Sequence, residues 1–238
     1  MGDSESEYGN ATGFFYERER ILYLVTCRHV LFDPKTSHEP VELKMRLHLS
    51  GRRDLTRVEV HTERLYDTNG RPLWLEHDNK EVDLALLKLD MNEMMSKFDI
   101  EVFSERNRFP DDFILVPSDD VFVIGYPLGF YDKVNNLPIF RHATIASLYG
   151  VPYNGKSQFL TDGKLHEGTS GAPIVTNPKG PFLDRKFVLN IRDGENYFLV
   201  GIHCGGSEQK DLELGFEWYP ELIDEIIDQY EQRMNEQT

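Results

Sequence analysis

The apolar residues of this chain come in runs of strand length. The longest, such as Ile21 to Thr26 and Val121 to Ile124, are far too short to span a bilayer. Most are bounded by turn-forming residues, so the chain must build its core by laying short strands together, and sandwiches and barrels are the architectures open to it. From Gly13 the pattern is Phe14-Phe15-Tyr16, a charged turn at Glu17-Arg18-Glu19-Arg20, then Ile21 to Thr26, which reads as a hairpin. Val41 to Ser50 alternates, with Val41, Leu43, Met45, Leu47 and Leu49 on one face. After the turn Gly51-Arg52-Arg53-Asp54, Leu55 to Leu65 alternates again, as half-buried strands do. Glu81 to Leu89 is a further strand and Asp90 to Phe98 a short helix.

The second half has the same style without repeating the sequence. Strands are expected at Val121 to Ile124, Ile139 to Tyr149, Ser157 to Thr161, Ala172 to Thr176, Phe187 to Ile191 and Tyr197 to His203. The end of the chain differs. Pro220 suits the first position of a helix, and Leu222, Ile223, Ile226, Ile227 and Tyr230 fall on one face at helical spacing, a stripe that should pack onto the body. Residues after Arg233 are expected to fray. The expected organisation is a flexible tail over 1–12, strand-rich units over 13–100 and 119–218 joined by a connection over 101–118, and a helix over 219–234.

A formal charge of −15 opposes a phosphate backbone, so nucleic acid is not an expected partner. Neither is a membrane. The acidic, polar residues 1–10 contain no apolar leader segment. The chain has two cysteines, Cys27 and Cys204, too few for a disulfide scaffold, which points to a reduced, cytoplasmic protein. Histidines spaced for a metal on one helix face, and Cys-Xaa-Xaa-Cys pairs, do not occur, so no metal and no cofactor is expected.

Chemistry concentrates at Glu167-Gly168-Thr169-Ser170-Gly171-Ala172-Pro173. Glycines on both sides of a serine permit a tight corner from which the hydroxyl projects. The same corner can aim the amides of Gly168 and Ser170 at one point, as a tetrahedral oxyanion requires. A serine hydroxyl is a poor nucleophile unless a base lies within hydrogen-bond reach and a carboxylate orients that base. His29 follows an apolar strand and starts a short turn, and Asp83 heads another apolar strand, where an unpaired carboxylate would be costly. Taken singly, each has an ordinary structural explanation: a core histidine, a capping acid, a Gly-rich turn. Taken in the order His, Asp, Ser, they form a catalytic constellation.

Val25-Thr26-Cys27-Arg28-His29-Val30-Leu31, Val82-Asp83-Leu84-Ala85-Leu86-Leu87 and Gly168-Thr169-Ser170-Gly171-Ala172-Pro173 resemble the three catalytic blocks of chymotrypsin-fold serine peptidases. The likeness is nearest to bacterial HtrA and glutamyl endopeptidase types. Ile124-Gly125-Tyr126-Pro127-Leu128-Gly129 is similar to the strand and turn that open the second barrel there, and Val200 to Gly206 resembles the strand walling the specificity pocket. The resemblance covers roughly residues 13 to 233. It implies an all-β fold of two packed six-stranded antiparallel β-barrels with a C-terminal α-helix. It also implies a serine endopeptidase acting on protein or peptide substrates, with His29 as base, Asp83 as orienting acid, Ser170 as nucleophile and the Gly168 and Ser170 amides as oxyanion hole.

Lys164, Leu165, His203, Cys204, Gly205 and Gly206 would bind substrate. A lysine and a histidine in one pocket would attract a P1 carboxylate, and the resemblance places His203 where relatives use a histidine to recognise an acidic or amide side chain, so an acidic or Gln P1 residue is expected. Thr169 stands where digestive relatives carry an aspartate that pairs with a new N-terminus, so no such activation is expected. Both cysteines approach Asp83 in this fold and read as small buried thiols, with a redox-sensitive pair as the alternative. Two other functions remain open. One is a peptidase-fold binding or regulatory module at rest. The other is an α/β-hydrolase using Ser170, Asp184 or Asp193, and His203, although Ala172 falls where its last signature glycine belongs.

Overall fold

Phe14–Arg18 (β1) and Ile21–Thr26 (β2) pair antiparallel across a tight turn whose residues, Glu19 and Arg20, both take positive φ, the backbone handedness that matches strand twist. In this computed structural model, residues 9–51, 54–177, 181–184, 186, 188–191, 197–206 and 212–236 are described. A one-turn helix, Arg28–Leu31 (α1), follows β2. Glu42–His48 (β3) and Val58–Arg64 (β4) form a hairpin of their own, and Trp74–Glu76 (β5) and Ala85–Leu89 (β6) lead into the helix Met91–Lys97 (α2). Asp90 caps α2 by accepting from the Glu93 amide, as an N-terminal aspartate should. Val102–Ser104 (β7) then returns to the sheet, which has the order β5-β6-β2-β1-β7.

The first half therefore departs from a closed, wholly antiparallel six-stranded barrel. It is a five-stranded sheet whose edge strand β7 runs parallel to β1, beside a separate two-stranded hairpin. Isolated backbone hydrogen bonds, such as Asp99 N–H to His48 O and Leu73 N–H to Leu65 O, both at 2.9 Å, and side-chain packing, rather than a continuous ladder, hold the hairpin on. Leu43, Met45 and Leu47 pack against a core of Leu22, Leu24, Leu31, Leu65, Leu87 and their neighbours. Apolar alternation in β3 reports burial of one face. It does not say which strand edges exchange hydrogen bonds.

The second half closes. Phe113–Ile114 (β8) precedes Asp120–Gly125 (β9), Ile139–Ile145 (β10), Gln158–Asp162 (β11) and Ala172–Thr176 (β12). Pro181–Asp184 (β13), Leu189–Ile191 (β14), Leu199–Gly206 (β15) and Leu214–Trp218 (β16) complete the strands. The barrel runs β10-β11-β16-β15-β12-β9, antiparallel throughout, with β14-β13-β8 as a small sheet of its own. Val121, Val123, Phe159, Ile174 and Val200 fill its interior. The sequence pattern missed β16 because Glu217 occupies a fully buried position of that strand, where an alternating pattern leads one to expect an apolar residue.

The C-terminal helix Glu221–Glu236 (α3) buries Leu222, Ile223, Ile226 and Ile227, and it continues past Arg233, where fraying was expected. That stripe joins one apolar cluster with Phe14, Tyr16 and Val25 of the first half and Leu199, Ile202 and Trp218 of the second. The helix is thus a shared wall between the halves. Arg18 fastens it to β1 through Asp228 at 2.5 Å and the Asp224 carbonyl at 3.1 Å. Among the described residues no helix is long and apolar enough to cross a membrane.

One covalent tie also crosses the halves. Cys27, after β2, and Cys204, in β15, form a disulfide, with Cα atoms 5.6 Å apart. This corrects the reading of two buried thiols, and the cause is topological: the end of β2 abuts β15 at a separation suited to a disulfide. The linkage closes a loop of sequence separation 177, so the Cys27→Ser, Cys204→Ser double variant should lose about 2–5 kcal/mol of unfolding free energy. Urea denaturation of the oxidised wild type against the variant checks this.

Candidate active site

Asp83 sits immediately ahead of the buried β6 run, and its carboxylate faces α1. Oδ1 accepts the backbone N–H of His29 at 2.9 Å, and Oδ2 lies 2.6 Å from His29 Nδ1. An ionised carboxylate only accepts, so Nδ1 carries the proton and Nε2 of the neutral ring is left as the basic atom. The backbone is tied as well, since Arg28 N–H donates to the Asp83 carbonyl at 3.3 Å. Both side chains are partly open, His29 at 38% and Asp83 at 26%, so the pair is reachable from solvent.

Ser170 occupies the corner before β12. The carbonyls of this corner are tied one after another. Glu167 O accepts from Leu128 N–H (2.6 Å), Gly168 O from the Thr12 hydroxyl (2.7 Å), Thr169 O from Ala172 N–H (2.9 Å) and Ser170 O from Thr12 N–H (2.9 Å). Thr169 N–H donates to His166 O and Gly171 N–H to His203 O. The amides of Gly168 and Ser170 donate no hydrogen bond among the described residues. The two donors singled out in the sequence are thus left unused, as is the neighbouring Glu167 amide. The glycines allow this packing. At positive φ, a Cβ on Gly168 would stand 2.5 Å from the Tyr126 carbonyl, and one on Gly171 2.0 Å from the Thr12 carbonyl.

Gly171 also approaches Thr26 Oγ1, three residues before His29, so the serine corner and the histidine segment are neighbours across the two halves. No hydrogen bond joins Ser170 to His29 among the described residues. Ligand-free sites often hold this contact long.

The expected substrate-binding residues divide. His203 is 3% exposed and pairs through Nδ1 with Glu217 Oε2 at 2.9 Å, while Thr161 donates to Glu217 Oε1 at 2.5 Å. Leu165 packs toward the same place, 3.2 Å from where a Gly215 Cβ would stand. Cys204 is half-buried in its disulfide, and Gly205 and Gly206 continue β15 toward solvent. Lys164 is not part of this group: it is an exposed residue whose ammonium pairs with Glu213 at 3.0 Å. Below the wall, burial pushes the Tyr149 phenol well up, keeping it protonated as a donor to the Val200 carbonyl at 2.9 Å. Cys27, His29 and Asp83 place potential ligand atoms within 4.8 Å of one another, but the Cys27 sulfur is bonded to Cys204 and the carboxylate to the imidazole, which leaves no donor set for an ion.

Two residues escaped the sequence reading. Thr12, assigned there to the flexible tail, is 4% exposed and makes hydrogen bonds to Gly168, Ser170, Tyr126 and Thr26. Glu217 carried no motif. Its one signal was a charge inside Leu214-Gly215-Phe216-Glu217-Trp218.

A closed antiparallel barrel packed through a shared core against a second β-rich half is the architecture of the chymotrypsin fold. The chain belongs to the trypsin-like peptidase domain family, whose model matches residues 11–182. No curated protein matches the chain. Among solved structures it is similar to the apo MamO protease domain from Magnetospirillum magneticum, with 17% identity, a TM-score of 0.50, and 90% of this chain and 85% of that chain covered. It is also similar to an inactive mutant of Rv3671c from M. tuberculosis, with 16% identity, a TM-score of 0.44, and 92% and 80% covered. At these identities the likeness speaks for the fold alone.

Thr12→Val keeps the shape and removes the hydroxyl that bonds Gly168 O and Tyr126 N–H. Stranding those buried groups should cost about 1–3 kcal/mol, measurable by denaturant unfolding, and the loosened corner should slow modification of Ser170 by an acylating or phosphonylating probe.

Proposed function

We propose that this chain is a serine endopeptidase that hydrolyses peptide bonds through an acyl-enzyme. The observation that carries the reading is that the Gly168 and Ser170 amides, on either side of Thr169, donate no hydrogen bond among the described residues while the carbonyls from Glu167 to Ser170 are all engaged. Preorganised donors of this kind supply much of the stabilisation of a tetrahedral oxyanion. Ser170 Oγ attacks the substrate carbonyl, and His29 Nε2 takes its proton. Asp83 holds the ring in the required tautomer and stabilises the imidazolium. The same ring then protonates the leaving amine, and water repeats the sequence on the acyl group. The residues around His203 form the wall that meets the P1 side chain. Partners in this reading are protein or peptide substrates. The disulfide beside His29 favours an oxidising compartment over the reduced cytoplasm expected from cysteine count.

A second reading, a peptidase-fold module at rest, draws on the missing Ser170–His29 hydrogen bond. A fluorophosphonate separates the two. Under the endopeptidase reading it labels Ser170 in the wild type and leaves Ser170→Ala unlabelled, and His29→Ala lowers the rate of labelling and of peptide hydrolysis roughly a thousandfold or more. An unlabelled wild type would favour the resting module.

A further inference from the structure

The turn after β9 sets a strained, exposed leucine beside the serine corner. Leu128 takes φ 52° and ψ 27°, the left-handed region that leucine adopts at a cost and that glycine or asparagine adopts more readily. Leu128 is 69% exposed and Phe130 66%, so neither is held in place by burial. The backbone is fixed instead. Leu128 N–H donates to Glu167 O at 2.6 Å, and Phe130 N–H to Pro127 O at 2.8 Å. A Cβ on Gly168 would stand 3.1 Å from Leu128 N, so this turn lies directly against a residue that offers one of the unused amides.

From there the segment crosses to the first half. Arg46 donates to the Tyr131 hydroxyl at 3.2 Å, His48 Nε2 to the Asn135 carbonyl at 2.7 Å, and the buried Asn136 amide to Arg46 O at 3.1 Å. One end is thus anchored at the serine corner and the other on β3. Val134, between the anchors, is exposed as well. Scattered exposed apolar residues need no explanation, but several on one anchored span beside a candidate site mark a contact surface. The strand order says which part of a substrate would reach it. β12 lies between β15 and β9 in the barrel. Ala172, two residues after Ser170, has His203 opposite it on one side, and on the other a Gly125 Cβ would stand 3.3 Å away. The His203 side is read above as the wall for the P1 side chain, so the direction of β9 and its turn is left for the residues after the scissile bond.

Resting on the endopeptidase reading above, we propose that Leu128 and Phe130 determine specificity on the leaving-group side, selecting apolar side chains in the two positions after the scissile bond. The surface is continuous with the serine corner and reaches from one half to the other, as the leaving part of a bound peptide must, which argues for substrate over a second copy of this chain. An apolar side chain laid there removes leucine and phenylalanine from water. That contact accounts for a leucine where the backbone would more readily take glycine or asparagine.

The test uses the full chain and peptides with one acyl-side sequence, taken from a random library that the wild type cleaves, followed by Leu, Phe, Ser, Asp or Lys in the two positions after the bond. Wild type should show kcat/KM about tenfold or more higher for Leu or Phe than for Ser. The double variant Leu128→Asn, Phe130→Ser keeps a residue suited to the left-handed turn and should shrink that preference about tenfold. A loosened serine corner would instead lower all five peptides together, along with an alkyl ester of the same acyl group, which has no residue after the bond. A wild type that does not favour Leu or Phe overturns the proposal, as does a preference unchanged in the folded double variant. So does a wild-type dimer that the double variant dissociates while the preference stays, which would make the surface an interface between copies. If the double variant does not fold, the wild-type preference decides. If wild type cleaves nothing, the endopeptidase reading fails separately, and the surface is read by binding of peptides that begin Leu-Leu or Ser-Ser, mimics of a leaving fragment. Tighter binding of the Leu-Leu peptide supports the surface, and equal or weaker binding refutes it.

Discussion

The corner around Ser170 is held in an unusual arrangement: the carbonyls from Glu167 to Ser170 all accept hydrogen bonds, while among the described residues the amides of Glu167, Gly168 and Ser170 donate none. Unpaired backbone donors are costly when withdrawn from water, so the fold must over-determine the corner from outside. Thr12 does most of this. Its hydroxyl donates to Gly168 O and accepts from Tyr126 N–H, its amide donates to Ser170 O, and its carbonyl accepts the Thr26 hydroxyl. One residue thus links the serine corner, the strand leading to His29 and the turn after β9. Leu128 N–H completes the clamp at Glu167 O.

The two halves meet across this clamp, and the remaining ties are of different physical kinds. The apolar face of α3 closes a core drawn from both halves, which supplies non-directional burial. Arg18 and Arg108 ion-pair with Asp224, and Arg18 also with Asp228, which sets the helix register. The disulfide fixes the segment before His29 to β15. The two halves are thus tied on several sides, which holds the His29–Asp83 pair and the Ser170 corner at fixed places in one body.

Local pattern was a good guide wherever one strand face met a core. The β1–β2 hairpin with its charged turn, the buried β12 run and the helical stripe of α3 are all legible, because each depends on burial periodicity alone. His29 and Asp83 were singled out by setting, and the chain brings them within hydrogen-bond distance. The pattern failed where polar atoms are buried in pairs. Glu217 hid β16, and Thr12 was taken for tail, because each is paid for by partners distant in sequence: His203 and Thr161 for the one, Gly168 and Ser170 for the other. Lys164 failed in the opposite direction, since spacing from the serine does not tell which way a side chain leaves a loop.

Sequence alone determined that this chain would be β-rich with a terminal helix, and it singled out three segments, around His29, Asp83 and Ser170, that the fold brings into one region. Those features are local, arising from alternation, turn chemistry and glycine-bracketed corners. Tertiary structure decided that the first half stays an open sheet with a docked hairpin. It also decided that Cys27 and Cys204 join, and that a carboxylate rather than an ammonium stands behind His203. Each of these depends on which strand edge or side chain arrives opposite another across the fold, and no local pattern of residues records that.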